Sequence, residues 1–190
     1  MKNRTLINFI LSIIQIPLED AEFISTHFQH FEFKKGDIIL KKGKVSDDYL
    51  FLEKGLIRSY LNDLEGNEVT TDFFIENNVA FEITSFFNRN PSETTMLAVT
   101  DCMGYKINFT QLNQLFHNKP SFREFGRSIL VREFIATKKR NYSMINQTAE
   151  ERYENLLVNK PLILKYAPLK HIASYLGITD STLSRIRAKL

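Results

Sequence analysis

The stretch from Leu169 to Leu190, LKHIASYLGITDSTLSRIRAKL, constrains the fold of this chain more tightly than any other. Ile172 and Leu176 stand four apart and share one face of a first helix. Ala173 is small where a second helix must come close, and Gly177 suits a turn position with positive φ. Ile178 plugs the corner and Thr179 is a good N-cap for the second helix. Leu183, Ile186 and Leu190 then make an inward stripe on that helix, of about residues 179–190. The spacing predicts two short helices packed through a glycine turn, a helix-turn-helix.

The outward face of that second helix carries Ser181, Ser184, Arg185 and Ala188, with Asp180 at its start. Short polar side chains and one long guanidinium suit a helix that enters a DNA major groove. Arg185, one turn in, is the expected base reader, with Asp180 and Ser181 tuning neighbouring bases. Thr182 and Ser184 are expected at phosphates, and Lys170, Arg187 and Lys189 supply the sequence-independent electrostatic part. An ordinary helical hairpin with a solvated face is the plainer alternative. The charge distribution favours the first reading: residues 1–118 carry a net −5 and residues 119–190 a net +8. A basic half that meets phosphates and an acidic half that stays clear of them fit a two-part DNA-binding protein.

Several classes are disfavoured. The single cysteine, Cys102, excludes an intrachain disulfide framework or an all-cysteine metal cage and suits a cytoplasmic address. His27, His30, His117 and His171 show no metal-ligand spacing beyond the His27/His30 pair, which reads as the end of a surface helix, so no metal or cofactor is expected. Lys2 and Arg4 before an apolar run imitate a signal peptide, but Asn8, Ser12 and Gln15 interrupt it. Leu6, Ile10, Ile13 and Ile14 instead predict an amphipathic helix, and no segment is apolar for long enough to span a membrane. A phosphate loop, a nucleophile elbow and a His-rich metal motif are all missing, so an enzyme is not expected.

The order of elements predicts an α+β chain. Helices reach to about His30, and Phe31–Leu40, Tyr49–Tyr60, Glu68–Ile75 and Thr95–Ile107 have strand texture. Glycines at 36, 43, 55 and 66 suggest short antiparallel strands in a roll or barrel. Helix returns from Thr110, and Pro120 opens a long helix to about Ile145. On it Leu130, Phe134, Thr137, Asn141 and Met144 alternate steps of four and three, a coiled-coil-like dimer seam. Packing of that helix on its own roll is the alternative, and both can hold on different faces. Thr148 caps Ala-Glu-Glu-Arg, and a short helix leads through Pro161 and Pro168. The expected parts are a sensor roll with flanking helices (1–118), a dimerisation helix (119–147) and a DNA-binding unit (148–190).

Three sets of residues carry a family resemblance: Lys35-Gly-Asp-Ile-Ile with Gly43, Leu52-Glu-Lys-Gly-Leu-Ile-Arg, and the block from Phe81 to Thr95. With Thr148-Ala-Glu-Glu-Arg-Tyr, Pro161 and the run from Leu169, the chain resembles the superfamily of the cyclic-AMP receptor protein and the fumarate–nitrate reduction regulator. The resemblance implies a cyclic-nucleotide-binding-type β-roll that senses a signal. It also implies a homodimer whose paired recognition helices read double-stranded DNA, with RNA polymerase as a further partner. Nucleotide-binding members carry Gly-Glu-Leu and a later arginine; here Phe81 replaces the glycine, Glu82 is kept, and Ser92-Glu93 stand at the arginine's place. Losing that charge-assisted contact costs about 1.5–3 kcal/mol, roughly tenfold to a hundredfold in affinity. The pocket formed by Phe81, Glu82, Arg89, Ser92, Glu93 and Thr94 is therefore expected to be degenerate or repurposed for an unknown small-molecule effector, with Arg89 poorly placed as a substitute cation. Many relatives continue past the recognition helix into a β-hairpin wing, whereas this sequence stops at Leu190, the pattern of a short wingless branch. A cyclic-nucleotide-fold sensor without DNA binding is the competing function.

Overall fold

A computed structural model describes residues 3–189. The N-terminal apolar periodicity becomes helix α1 (Arg4–Ile13), followed by α2 (Leu18–Ser25). α2 ends sooner than the sequence suggests: Thr26 and His27 fold back on the Phe23 carbonyl, and strand β1 (Gln29–Phe33) starts at once. His27 and His30 are thus in a turn and a strand, not at the end of one helix.

Three of the four strand-like stretches then split at a turn, while Glu68–Ile75 holds one strand and a further short strand follows it. β1 is followed by β2 (Ile38–Leu40), β3 (Asp48–Lys54) by β4 (Ile57–Asn62), and β5 (Glu68–Phe74) by the short β6 (Asn78–Ala80). Gly55 makes the β3–β4 corner at φ +111°, where a Cβ would stand 2.6 Å from the Asp101 carbonyl, so only glycine fits. A short helix α3 (Ile83–Asn88) interrupts the block that follows β6 before β7 (Thr95–Ala98) and β8 (Cys102–Asn108) complete the roll. Two antiparallel four-stranded sheets result, in orders β1-β8-β3-β6 and β2-β7-β4-β5.

Between the sheets lie Phe31, Leu50, Leu52, Ile57, Met96 and the Cys102 thiol. The unbroken apolar run of β3 is explained by burial on both faces: Leu50 and Leu52 point into the roll, and Tyr49 and Phe51 point out to the helices. There Phe51 meets Phe9 of α1 at 4.7 Å between ring centroids. α4 (Phe109–Asn118) and the start of α5 (Pro120–Asn146) close that core with Leu112, Leu115, Phe122, Phe125 and Ile129. Pro120 occupies the first turn of α5, where its missing N–H costs nothing.

Beyond α5, Thr148 and Glu151 form a reciprocal capping box on α6 (Ala149–Asn159). The single helix expected there is two, because Pro161 opens a separate α7 (Pro161–Tyr166). α8 (Leu169–Leu176) and α9 (Asp180–Lys189) end the described chain, and Leu190 of the expected stripe lies outside it. The apolar cluster of α6–α9 also contains Leu56, Phe73 and Val99 from the roll. Among the described residues, no helix is long and apolar enough to cross a membrane.

Phe51 is fully buried and shared by the roll and the helical layer. Phe51→Ala should destabilise the fold by about 3–5 kcal/mol. Urea titration checks this, with the midpoint falling at unchanged slope.

Candidate nucleic-acid interface and effector chamber

α8 terminates at Gly177, whose φ of +67° bears out the positive-φ turn. The Ile178 N–H donates to the Ala173 carbonyl at 3.0 Å and closes the corner. Thr179 caps α9, its Oγ1 accepting from the Thr182 N–H at 3.2 Å. Ile172, Ala173, Leu176, Leu183 and Ile186 are buried where the two helices meet. Outward, Asp180, Ser181, Ser184, Arg185, Arg187, Ala188 and Lys189 are all exposed on α9, and Lys170 is exposed on α8. Thr182 is half-buried, and its hydroxyl contacts Thr179 Oγ1 at 3.0 Å and accepts from Arg185 at 3.3 Å. Lys189 reaches within 3.9 Å of Glu150. One solvent-facing surface therefore gathers Ser181, Ser184, Arg185 and the basic tail of α9.

The long helix divides the expected seam between its faces. Phe134 and Asn141 are exposed, but Leu130 packs against the apolar core of its own chain. Thr137 and Met144 are exposed as well; Met144 puts its Cε 2.5 Å from where a Gly177 Cβ would stand, and Thr137 borders a chamber beside the roll. A second exposed stripe runs one residue further on: Val131, Ile135, Tyr142 and Ile145, with Lys138 between, again in steps of four and three.

The block resembling a nucleotide pocket is also divided. A chamber of about 480 Å³ lies between the roll and α5, and Phe81, Glu82 and Thr94 line it. Glu82 is committed to its own helix, accepting from the Ser85 N–H at 2.6 Å and the Thr84 N–H at 3.2 Å as the cap of α3. Arg89 is turned away. It ends α3 at φ +58°, donates to the Ser46 and Phe86 carbonyls, pairs with Asp47 at 2.7 Å and stacks over Phe109. Ser92 is buried in its own loop, where Oγ accepts from the Thr94 N–H, and Glu93 is exposed.

The cations of the chamber come from elements far along the sequence: Arg132 and Arg140 of α5 and Lys160 before α7. The expectation of a pocket without a cationic partner is corrected here, because the long helix supplies what the strand loop lacks. Tyr175 of α8 forms part of the same wall, edge-on to Phe73 at 5.3 Å and beneath the Arg140 guanidinium at 4.4 Å. Burial alone would lower the Lys160 pKa, but Tyr175, Asp72 and Glu133 outweigh it and hold it above the ordinary lysine value. Burial, helped by Asp72, raises the Glu133 carboxyl toward its neutral form.

α8 also closes the free edge of β5. Ser174 Oγ accepts from the Thr70 N–H at 2.8 Å, and His171 Nε2 lies 4.0 Å from Glu68. Behind them Arg58 is wholly buried, donating to Thr70 Oγ1 at 2.9 Å and to Glu68 at 2.6 Å. Sequence patterning gives no sign of this seam. Its partners are more than a hundred residues apart and no local pattern links them.

Residues 30–119 match the family described as the cyclic nucleotide-binding domain. No curated protein matches the sequence. Among solved structures, the c-di-GMP-responsive global regulator CLP of Xanthomonas campestris aligns at TM-score 0.70 and 14% identity, covering 91% of each chain. FixK2 from Bradyrhizobium japonicum aligns at TM-score 0.72 and 17% identity over 86% of this chain and 84% of its own. The catabolite activator protein of Thermus thermophilus gives 0.60 and 16% over 96% and 86%. The matched region thus sits in a chain with the fold of CRP/FNR-type regulators.

His171 in the seam has its pKa lowered to about 4, by burial first and then by Arg58 and Lys170. The folded chain keeps it neutral while the unfolded chain protonates it near pH 6.5, so its contribution to stability is full above that pH. It is lost progressively from pH 6.5 down to about 4. The thermal midpoint of the wild type should therefore fall more steeply over that window than that of His171→Gln, as followed by circular dichroism.

Proposed function

We propose that this protein is a homodimeric, sequence-specific DNA-binding transcription regulator, with α8 and α9 as a helix-turn-helix. The observation that carries the reading is the two-sided character of α9. Leu183 and Ile186 anchor it, while Ser181, Ser184, Arg185, Arg187 and Lys189 are exposed on the other side. A guanidinium flanked by short side chains can reach guanine O6 and N7 without steric conflict from its neighbours. The basic C-terminal half adds attraction to phosphate, and the acidic roll is kept away from it.

A single recognition helix contacts few base pairs, so a two-fold dimer presenting two of them about 34–36 Å apart is the natural reader of a palindrome. The exposed stripe of Val131, Ile135, Tyr142 and Ile145, with Phe134 beside it, is the surface we assign to that dimer. RNA polymerase is a further partner of such a regulator, and the chamber is its effector site.

Selection of DNA from a random pool by the purified protein tests the reading directly. An enriched palindrome is expected, and failure to enrich any sequence favours a sensor that does not bind DNA. Arg185→Ala should weaken binding to the selected site by roughly 1–3 kcal/mol and relax specificity at one position of each half-site, as read by titration against single-base variants. Sedimentation should show a dimer at micromolar concentration, and Val131→Asp with Ile135→Asp should convert it to monomer with loss of operator affinity.

A further inference from the structure

The chamber between the roll and α5 differs from a simple apolar cavity in the balance of its charges. Arg132, Arg140 and Lys160 line it, and so do Asp72, Glu82 and Glu133. The two sets are not equally free. Glu82 is held by two backbone N–H groups of α3, and Asp72 accepts from the Phe73 N–H at 2.7 Å and faces Lys160 at 3.8 Å. Burial draws Glu133 toward its neutral form. Arg132 commits one amino group to Asn78 and Arg140 one to the Tyr175 carbonyl, with no further hydrogen-bond partner among the described residues. The hydrogen-bond donors left without partners therefore belong to the cations, beside an apolar wall of Phe73, Phe81 and Tyr175.

We propose that this chamber binds a small organic phosphate with a terminal, doubly charged phosphoryl group turned toward Arg132, Arg140 and Lys160, its apolar or aromatic body lying against Phe73, Phe81 and Tyr175. A terminal phosphoryl carries about −1.5 to −2 charges near neutral pH. A cyclic phosphodiester carries a single charge, and the Glu82 carboxylate that would accept from its sugar is already engaged. The volume of about 480 Å³ suits a ligand of mononucleotide size.

Such a ligand touches the DNA-reading unit itself. Lys160 and Tyr175 belong to the same wall, and Tyr175 is one residue from Ser174, which holds the Thr70 N–H. A phosphate that draws Lys160 from Asp72 and presses on Tyr175 loosens α8 from β5. The reading face of α9 is already exposed with α8 docked, so loosening lowers DNA affinity rather than raising it. This regulation rests on the DNA-binding reading above; the binding of the phosphate does not.

The test compares 5′-AMP with cyclic AMP, which share base and sugar and differ in phosphate charge, by calorimetry on the full-length protein at fixed ionic strength. 5′-AMP should bind at least tenfold more tightly than cyclic AMP, and Lys160→Met and the more exposed Arg132→Gln should each weaken it about tenfold. Absence of heat with 5′-AMP, cyclic AMP binding as tightly, or no effect of either substitution overturns the assignment. Saturating 5′-AMP should also speed amide hydrogen exchange at Thr70 several-fold and lower operator affinity at least threefold; unchanged Thr70 exchange overturns the coupling. A protein that shows the nucleotide preference but selects no DNA keeps the chamber assignment and removes the regulator reading. Intact operator binding without the preference does the reverse.

Discussion

Tyr175 is wedged between the roll and the long helix. Its ring meets Phe73 of β5 on one side and lies under the Arg140 guanidinium of α5 on the other, while its hydroxyl accepts from Lys160 at 3.5 Å. The main chain reinforces the same joint: Arg140 donates to the Tyr175 carbonyl and Arg152 of α6 to the Leu176 carbonyl. These carbonyls lie at the C-terminus of α8, where the helix dipole favours cations and where acceptors are otherwise left unpaired. Two arginines from different helices therefore fix the direction in which α8, and with it α9, leaves the body. Ring stacking and desolvated charge-assisted bonds are short-ranged, so a small displacement of either α5 or β5 is transmitted to the reading helix.

The local parts of this arrangement are legible in the sequence. A turn glycine, a capping threonine and an apolar spacing of three and four are determined by neighbours within one or two helical turns, and α8, Gly177, Thr179 and α9 adopt the conformation they encode. The capping box at Thr148 and the proline start of α5 are legible for the same reason. The surface proposed for the dimer is legible only in part, because the heptad pattern is ambiguous by one residue. Leu130, Phe134, Thr137, Asn141 and Met144 and the set starting at Val131 follow identical steps. Both sets reach solvent along most of the helix, and only Leu130 is drawn in by the Phe122–Phe125–Ile129 core, a tertiary matter.

The chamber is half legible for a similar reason. Phe81, Glu82 and Thr94 can be found as a contiguous block, but the cations beside them, Arg132, Arg140 and Lys160, come from other elements far downstream. Arg89 shows the opposite error of proximity. It is close in sequence, yet its left-handed conformation at the end of α3 sends the guanidinium to Asp47 and Phe109. A residue's nearness to a motif says little about its direction once a helix cap intervenes.

Arg58 explains why the seam between the roll and α8 has one register. A fully buried guanidinium depends on its partners being in place; Thr70, Glu68 and the face of Tyr60 hold Nε and Nη1, while Nη2 is buried without a hydrogen-bond partner among the described residues. Sliding α8 along β5 would leave the Thr70 N–H without Ser174 and expose the pair to rearrangement, at the cost of an unpaired buried donor. The helices from α6 onward are also too few to enclose a core of their own, since a unit of this size buries little of its apolar surface unaided. They complete it with Leu56, Phe73 and Val99 of the roll. The roll and the helical pair are therefore joined through a shared core, so a displacement at the chamber can reach α9 through packed side chains without needing a flexible linker to carry it.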